Sequence, residues 1–180
     1  RLSRAGAPAL GETLTTSPEG ELLARSNHVL KSYWEQPEAS AEALADDWFH
    51  TGDGSTIDDE NYATITDRKK DVIISGGENV SSIEVEDTLF SHPAVAEVAV
   101  IGVPDEKWGE TIKALVVLAP DAPADLNDRL LIDHCRERLA HFKCPTTVEF
   151  RDELARTATG KLQKFKLRAP YWEGMEKQVN

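Results

Sequence analysis

The sequence runs Val95-Ala-Glu-Val-Ala-Val-Ile-Gly-Val103 and, after a polar connection, Thr111-Ile-Lys-Ala-Leu-Val-Val-Leu118. Both runs are rich in β-branched residues, which favour strands because a branched side chain packs well on a pleated sheet. The connection at 104–109 contains proline, glycine and charged side chains, which favour a turn. These two stretches therefore predict two strands and decide the fold class of the region around them.

Two helices are expected, one before these strands in the sequence and one after them. Residues 81–91 begin with a capping box, in which the Ser81 hydroxyl accepts from a backbone N–H and Glu84 reaches back. Residues 125–141 carry apolar side chains about every four positions, as an amphipathic helix does. The side chains expected to face inward are Ile83, Leu89 and Phe90 in the first helix, and Leu131, Cys135, Leu139 and Phe142 in the second.

The rest of the chain predicts shorter elements and a domain boundary near Lys70. We expect strands at 20–26, 62–66, 72–74 and 147–150, a helix at 37–45, a basic helical tail after the last loop, and loops or turns at 1–19 and around Gly52, Gly54 and Asn61. Residues 1–69 are mostly loop and strand, whereas residues 70–180 form a compact unit. The predicted fold class is α+β, with a mixed central sheet flanked by helices and preceded by a β-rich segment.

Composition limits the function classes. The 180 residues carry a formal net charge of −12, which argues against a nucleic-acid surface, because such a surface needs a basic footprint. No apolar run of about 18 residues occurs, so no transmembrane segment is expected. The two cysteines and five histidines show no metal-ligand spacing, so no metal site is predicted. Reduced thiols and the lack of a hydrophobic leader favour a cytoplasmic protein, and a start at Arg1 suggests part of a longer one.

Three polar segments carry the chemistry. Residues 156–161 read Arg-Thr-Ala-Thr-Gly-Lys, residues 51–53 read Thr-Gly-Asp, and residues 67–79 contain Asp-Arg-Lys-Lys-Asp and then Ser-Gly-Gly-Glu-Asn. A glycine with flanking threonines favours a turn, which would hold Lys161 at the tip of a loop. This is not a Walker A phosphate loop, since it lacks the first glycine and the final Ser or Thr of that motif.

In their order along the chain (51–53, 67–79 and 156–161), the three segments resemble the C-terminal part of the adenylate-forming enzymes: acyl-CoA synthetases, peptide-synthetase adenylation domains and luciferases. The resemblance begins at about Gly20 and is greatest to bacterial fatty-acyl-CoA synthetases. It implies that residues 1–69 are the C-terminal edge of a large adenylation domain, and that residues 70–180 are a small, mobile C-terminal domain. The family's phosphate loop, magnesium ligand and acyl pocket are expected in an N-terminal region, so this segment alone is expected to be inactive.

The resemblance assigns roles to four residues. Lys161 would be catalytic, stabilising the negative charge that develops as an acyl-adenylate forms. Asp53 and Arg68 would bind the ATP ribose, the carboxylate accepting from its hydroxyls and the guanidinium donating. Lys70 would be the hinge about which the C-terminal domain rotates between two half-reactions. The alternatives are a solvated lysine, a turn-forming aspartate and a surface arginine.

Five further residues are expected to bind CoA. Gly76 and Gly77 would let the backbone approach the pantetheine closely, because they lack a Cβ; an ordinary turn before a helix is the alternative. In some relatives a Trp-Gly and a Phe-Lys-x-Pro segment contact the CoA nucleotide, which points to Trp108, Phe142 and Lys143. Simple packing is the alternative for Trp108.

The function implied is that of the C-terminal portion of an ATP-dependent, AMP-forming acyl-CoA ligase acting on a medium- or long-chain fatty acid. ATP, CoA and Mg²⁺ would be its cofactors. Its partners would be these small molecules and the N-terminal domain of the same protein, without nucleic acid, and homo-oligomerisation is left open. Two alternatives stay open: an adenylation enzyme that loads a carrier protein, and a non-catalytic α+β module that binds a partner or nucleotide.

Overall fold

The structure is a computed structural model, which describes residues 4–174. The chain divides into two compact units between Lys70 and Asp71. Within residues 4–174, no helix is both long enough and apolar enough to cross a membrane.

The first unit is a four-stranded antiparallel sheet with the strand order β1-β2-β3-β4. Its elements are β1 (Thr13–Thr16), β2 (Glu21–Arg25), α1 (Pro37–Ala43), a 3-10 turn (Ala45–Asp47), β3 (Phe49–Ile57) and β4 (Ala63–Arg68). The predicted strands at 20–26 and 62–66 and the helix at 37–45 are confirmed. Two predictions are wrong: β1 lies in the expected N-terminal loop, and Gly52 and Gly54 lie within β3 rather than in turns. The glycines are tolerated in β3 because the strand bulges there.

The second unit is built on a five-stranded mixed sheet with the order β6-β5-β8-β7, in which β9 pairs with β8. The β8–β9 pair is parallel and the other pairs are antiparallel. Its elements are β5 (Ile73–Ser75), β6 (Glu78–Val80), α2 (Ser82–Phe90), β7 (Val95–Asp105), β8 (Gly109–Leu118), α3 (Asp128–Arg136), β9 (Thr147–Phe150), α4 (Lys164–Arg168) and 3-10 turns at His141–Lys143 and Ala169–Tyr171. The predicted fold class, a mixed sheet flanked by helices, is confirmed.

Both faces of this second sheet are covered, which explains the continuous apolar runs of β7 and β8. Successive side chains of a strand point to opposite faces. One face packs against α2 and α3, with the buried cluster Val85, Leu89, Val98, Val100, Ile112, Ala114, Leu131 and Cys135. The other face carries Ala99, Ile101, Val103 and Leu115, and the C-terminal segment covers it with Leu154, Leu162, Leu167 and Tyr171.

Helix α3 is shorter than its predicted span, and helix α2 buries a different set of side chains from the predicted one. Helix α2 begins as predicted, since the Ser81 Oγ accepts from the Glu84 N–H at 3.3 Å. Phe90 does not face inward: its exposed fraction is 61%, because Val85 and Leu89 define the buried side of α2. Helix α3 begins after Asn127, which caps the Leu130 N–H at 3.2 Å.

Phe142 is also not part of the buried stripe of α3. It lies beyond the end of that helix, in the His141–Lys143 turn, and is 47% exposed. Leu131 and Cys135 are buried as predicted, and Leu139 packs against the same cluster.

Candidate functional site

The Thr-Gly-Asp segment lies in a bulge of β3. The register joins Glu21 to Gly54 and Leu23 to His50, so the three residues 51–53 lie opposite a single residue of β2. A bulge disrupts the regular ladder of backbone hydrogen bonds and turns the strand. Gly52 adopts a positive φ of 75°, a conformation that glycine adopts without steric cost.

Side chains replace the missing ladder partners of this bulge. The Glu21 Oε1 accepts from the Gly52 N–H at 2.9 Å. The Thr51 hydroxyl donates to the Leu22 carbonyl at 2.8 Å and accepts from the Asp53 N–H at 3.2 Å. The bulge therefore has a defined conformation, which fixes the backbone position of Asp53.

Asp53 and Arg68 are paired across β3 and β4. They are register partners, and the Arg68 Nε lies 3.3 Å from the Asp53 Oδ1. The Arg68 side chain is 68% exposed and that of Asp53 is 30% exposed, so both groups can reach a ligand. An exposed pair of this kind contributes at most about 1 kcal/mol to stability, and a ligand can therefore compete for these groups at low cost.

Glu21 links the bulge to the end of β4. Its side chain is only 7% exposed; the Glu21 Oε2 accepts from the Lys69 Nζ at 2.8 Å and lies 3.1 Å from the His50 Nδ1. Burial acts to raise the pKa of Glu21, but the hydrogen bonds from Lys69, His50 and Gly52 outweigh burial and lower this pKa below its ordinary value. Glu21 is thus held as a carboxylate.

Lys70 lies in a turn after β4. The turn covers residues 69–71, and the Lys70 side chain is exposed. The chain divides into its two compact units directly after this residue. The hinge role of Lys70 stays a prediction.

The two glycines of Ser-Gly-Gly-Glu form the tight turn of a β-hairpin. Ser75 pairs with Glu78, and the two central residues have positive φ values of 60° and 86°, as a type I′ turn requires. The turn joins β5 to β6, and α2 begins two residues after β6, so the alternative of an ordinary turn ahead of a helix stays open.

Trp108 lies against this hairpin turn. The Gly76 N–H donates to the Trp108 carbonyl at 3.0 Å, and an added Cβ at Gly76 would lie 2.7 Å from the Trp108 Cε3. The indole is 48% exposed, and the Lys107 Nζ lies 4.4 Å from its ring centroid. Gly76, Gly77 and Trp108 are therefore brought together beside a cation, a combination that suits a planar, phosphorylated ligand.

Phe142 and Lys143 form a separate group, next to helix α2. Phe142 is exposed, whereas the Lys143 Nζ donates to both carboxylate oxygens of Glu84, at 2.8 and 2.7 Å. The Lys143 side chain is 27% exposed. Its charge is thus already paired, and any phosphate that binds Lys143 has to compete with Glu84.

Lys161 lies at the end of a turn that is closed by hydrogen bonds with Thr157. The Thr157 N–H donates to the Lys161 carbonyl at 2.8 Å, and the Lys161 N–H donates to the Thr157 Oγ1 at 3.1 Å. Arg156 supports the turn, since its Nη1 donates to the Gly160 carbonyl at 2.6 Å and its Nη2 to the Glu97 Oε2 at 2.6 Å. Lys161 itself is exposed, and its ammonium has no partner among residues 4–174.

The segment after Lys161 is anchored on the sheet. Leu162 packs in the second apolar cluster. The Lys164 Nζ donates to the Ser82 Oγ at 2.7 Å and pairs with the Glu86 Oε1 at 2.7 Å, with both charged side chains at most 15% exposed. The Lys161 turn is therefore held on both sides, by Arg156 and by Lys164.

Metal ligands are not grouped in the part of the chain that the structure describes. Among residues 4–174, no set of three or more His, Cys, Asp or Glu side chains lies close enough to hold an ion. The donor set here does not fit a magnesium site, so no step of the chemistry is derived through magnesium at these residues. Both cysteines are buried thiols, and burial raises the pKa of Cys135 to about 12, which makes it unreactive.

Comparison with known proteins identifies the family. The model of the AMP-binding enzyme C-terminal domain matches residues 84–161. A feruloyl-CoA synthase of Amycolatopsis is 46% identical over 158 residues, 88% of this chain and 32% of that protein. A long-chain-fatty-acid–CoA ligase of Mycobacterium tuberculosis is 46% identical over 153 residues, 85% of this chain and 30% of that protein.

A solved structure extends the similarity across both units. The o-succinylbenzoate CoA synthetase of Bacillus subtilis, in complex with its acyl-adenylate intermediate, matches with a TM-score of 0.83 and 36% identity over 93% of this chain and 36% of that chain. This chain thus spans about a third of the length of these proteins. It belongs to the adenylate-forming, AMP-binding enzyme superfamily and corresponds to its C-terminal part, as the sequence predicted.

Sequence reasoning missed Glu21, Arg156 and Lys164 as parts of the site. A glutamate at the start of a predicted strand is ordinarily solvated, and its partner Lys69 lies 48 residues away. Arg156 stood in a quoted motif, yet its partner Glu97 is 59 residues away. The only available signal for Arg156 was its place at the start of the Arg-Thr-Ala-Thr-Gly-Lys stretch.

Proposed function

We propose that this chain is the C-terminal part of an ATP-dependent, AMP-forming acyl-CoA ligase. In the first half-reaction a carboxylate oxygen attacks the α-phosphorus of ATP, and the bond to pyrophosphate breaks. In the second, the CoA sulfur attacks the acyl carbonyl carbon, the bond to AMP breaks and the thiol proton is released. The CoA ligases among the relatives support this reaction class.

The observation that carries the proposal is the cross-strand pair of Asp53 and Arg68 on the bulge of β3. The Asp53 carboxylate can accept from both ribose hydroxyls, and the Arg68 fork can donate to the same diol or to phosphate oxygens. The pair is exposed enough for a ligand to approach. We assign the ribose of ATP, acyl-adenylate and AMP to these two side chains.

Lys161 is the residue we assign to adenylate formation. Two anions, the carboxylate and the α-phosphate, approach each other in this step, and negative charge grows in the transition state. An ammonium that the turn presents to the two anions would stabilise that charge. Its lack of a partner among residues 4–174 keeps this charge available for the substrate.

We assign the second half-reaction to the Gly76–Gly77 hairpin and Trp108. The hairpin backbone would line the path of the pantetheine, and the indole beside Lys107 would stack on the CoA adenine. Lys70 would be the hinge that lets Lys161 act in one half-reaction and the hairpin in the other. Phe142 stays in the proposed CoA site, whereas Lys143 would act there only after release from Glu84.

The acid substrate is the finer part of the proposal. We propose a medium- or long-chain fatty acid as the first substrate class to test, because the Mycobacterium tuberculosis relative is a long-chain-fatty-acid–CoA ligase. A feruloyl-CoA synthase is equally similar, so an aryl acid is the competing class. We propose that the magnesium ligands lie in the N-terminal region of the full-length protein and that the reaction takes place in the cytoplasm.

The test is an assay of the full-length ligase that contains this chain. Fatty and aryl acids are supplied with ATP and magnesium, and pyrophosphate release and thioester formation are followed separately. Pyrophosphate release followed by acyl-CoA formation supports the proposal and ranks the acids. Thioester formation on a carrier protein but not on CoA would show that the acyl acceptor is a carrier protein. The absence of pyrophosphate release with every acid would favour a non-catalytic binding module.

A further inference from the structure

Glu21 has no assigned part in the proposed chemistry, yet it lies at the centre of the polar network of the first unit. One carboxylate oxygen accepts from the Gly52 N–H at 2.9 Å, and the other accepts from the Lys69 Nζ at 2.8 Å. The same oxygen lies 3.1 Å from the His50 Nδ1. The Glu21 side chain is buried, whereas the side chains of Lys69 and His50 are 47% and 30% exposed.

The residues that Glu21 holds are the immediate neighbours of the proposed ribose pair. Gly52 precedes Asp53, and Lys69 follows Arg68. The Lys69 N–H also donates to the Gly52 carbonyl at 2.9 Å, which closes the network from the backbone side. One carboxylate thus fixes the segment before the ribose acceptor and the segment after the ribose donor.

We propose that Glu21 is a positioning residue for nucleotide binding, which keeps Asp53 and Arg68 in the geometry that receives the ribose. This inference rests on the proposed function. Glu21 does not touch the ribose; it acts through the Gly52 N–H and the Lys69 ammonium.

Stability alone accounts poorly for a buried carboxylate at this position. Glu21 loses hydration on burial, and an ion pair with a side chain as exposed as that of Lys69 contributes little to stability. In the bulge, however, the Gly52 N–H has no ladder partner, and an apolar residue at position 21 could not accept its hydrogen bond. Preserving the bulge, and with it the position of Asp53, is the role that requires an acceptor here.

The experiment uses the full-length ligase with Glu21→Ala and Glu21→Gln, and Glu19→Gln as the matched control. Glu19 lies two residues away and is exposed, and its carboxylate accepts a hydrogen bond from the Ser17 hydroxyl. We expect Glu21→Ala to raise the KM for ATP at least about tenfold, because it removes the acceptor of both the Gly52 N–H and the Lys69 ammonium. Glu21→Gln should give a smaller rise, since its carbonyl oxygen still accepts from the Gly52 N–H. The KM for the acid should not change.

The outcomes are distinct. A wild-type enzyme that releases no pyrophosphate with any acid defeats the proposed function before any substitution is compared. If wild type is active and Glu21→Ala has an unchanged KM for ATP, with or without a lower kcat, Glu21 is only structural and the inference is overturned. Should both Glu21 variants fail to fold, Lys69→Met decides: a raised KM for ATP supports the inference, and a wild-type value overturns it.

Discussion

At the level of single residues, the first unit positions its functional groups with buried polar side chains rather than with an apolar core. Glu21 and Asp67 are buried there, and the only buried hydrophobic residues among 4–70 are Leu23 and Ala63. A polar network defines geometry because each donor and acceptor has a preferred direction. Such an arrangement suits a binding surface that must receive a sugar and phosphates.

His134 gives a residue-scale prediction about pH. Burial lowers the pKa of His134 below its ordinary value of 6.5, against the opposing effect of the Thr88 carbonyl. Because the folded chain then binds this proton less readily than the unfolded chain, the free energy of unfolding should fall as the pH drops through about 6.5. His134→Gln should make this slope shallower, as measured by urea unfolding of the 180-residue chain at several pH values.

The control for this pH effect is His141→Gln, at an exposed position of the same unit. It should leave the slope as in wild type. An unchanged slope in His134→Gln would contradict the assignment and place the acid sensitivity elsewhere.

Candidate site residues could be proposed from the sequence where a short motif contains them, and not where a distant partner defines them. Asp53, Arg68 and Lys161 could be named from local segments whose order resembles a family. Glu21 could not, because its burial depends on a bulge opposite residues 51–53. That bulge follows from the pairing of two strands about 30 residues apart, which no local pattern of side chains encodes.

At the level of elements, the hairpin between β5 and β6 gains its shape from two consecutive glycines. Both have positive φ, but only Gly76 is in close contact with Trp108. Around Gly77 no atom lies within 4 Å of an added Cβ. A comparison of substitutions at Gly76 and Gly77 therefore distinguishes the cost of backbone strain from the cost of a steric clash.

Gly76→Ala should destabilise the chain more than Gly77→Ala does. Both substitutions incur the cost of a positive φ, about 1–2 kcal/mol, whereas only the first drives a methyl group against the indole. The measurement is the midpoint of urea unfolding for each variant. In a Trp108→Ala background the difference between the two should disappear; if it persists, the Trp108 contact does not explain the requirement for glycine at this position.

Secondary-structure elements were predicted correctly where the side-chain pattern was strong, and incorrectly where glycine lies within a strand. The apolar runs of β7 and β8 and the capping box of α2 gave correct strands and a correct helix start. The sequence predicted turns where β3 lies, because glycine is rare in regular strands and this segment contains Gly52 and Gly54. Phe90 was predicted to face inward together with Leu89, but adjacent residues of a helix point about 100° apart, and only Leu89 is buried.

At the level of the whole molecule, the two units differ in what stabilises them. Both hydrophobic clusters lie within residues 73–171. The first unit, in its described part, buries more polar and charged residues than hydrophobic ones. Because burial of apolar surface is the dominant favourable term in folding, the second unit should be the independently stable one.

Residues 71–180 alone should therefore unfold cooperatively in urea, at the same midpoint as the corresponding transition of the 180-residue chain. Amide hydrogen exchange of the 180-residue chain should show faster exchange at 4–70 than at 71–174. Strong protection throughout 4–70, or a fragment 71–180 that unfolds without a cooperative transition, would contradict this division of stability.

The proposed reaction requires Lys161 to act in the first half-reaction, and a comparison of two lysine variants tests this role. Full-length Lys161→Ala is compared with Lys166→Ala, which removes the same charge from an exposed position of α4. Pyrophosphate release and thioester formation from supplied acyl-adenylate are measured separately.

For Lys161→Ala, we expect pyrophosphate release to fall about 100- to 1,000-fold, the loss typical of a removed electrostatic stabiliser. Thioester formation from acyl-adenylate should stay within about threefold of wild type, and Lys166→Ala should match wild type in both steps. Unchanged pyrophosphate release in Lys161→Ala would contradict the role of Lys161 in the first half-reaction.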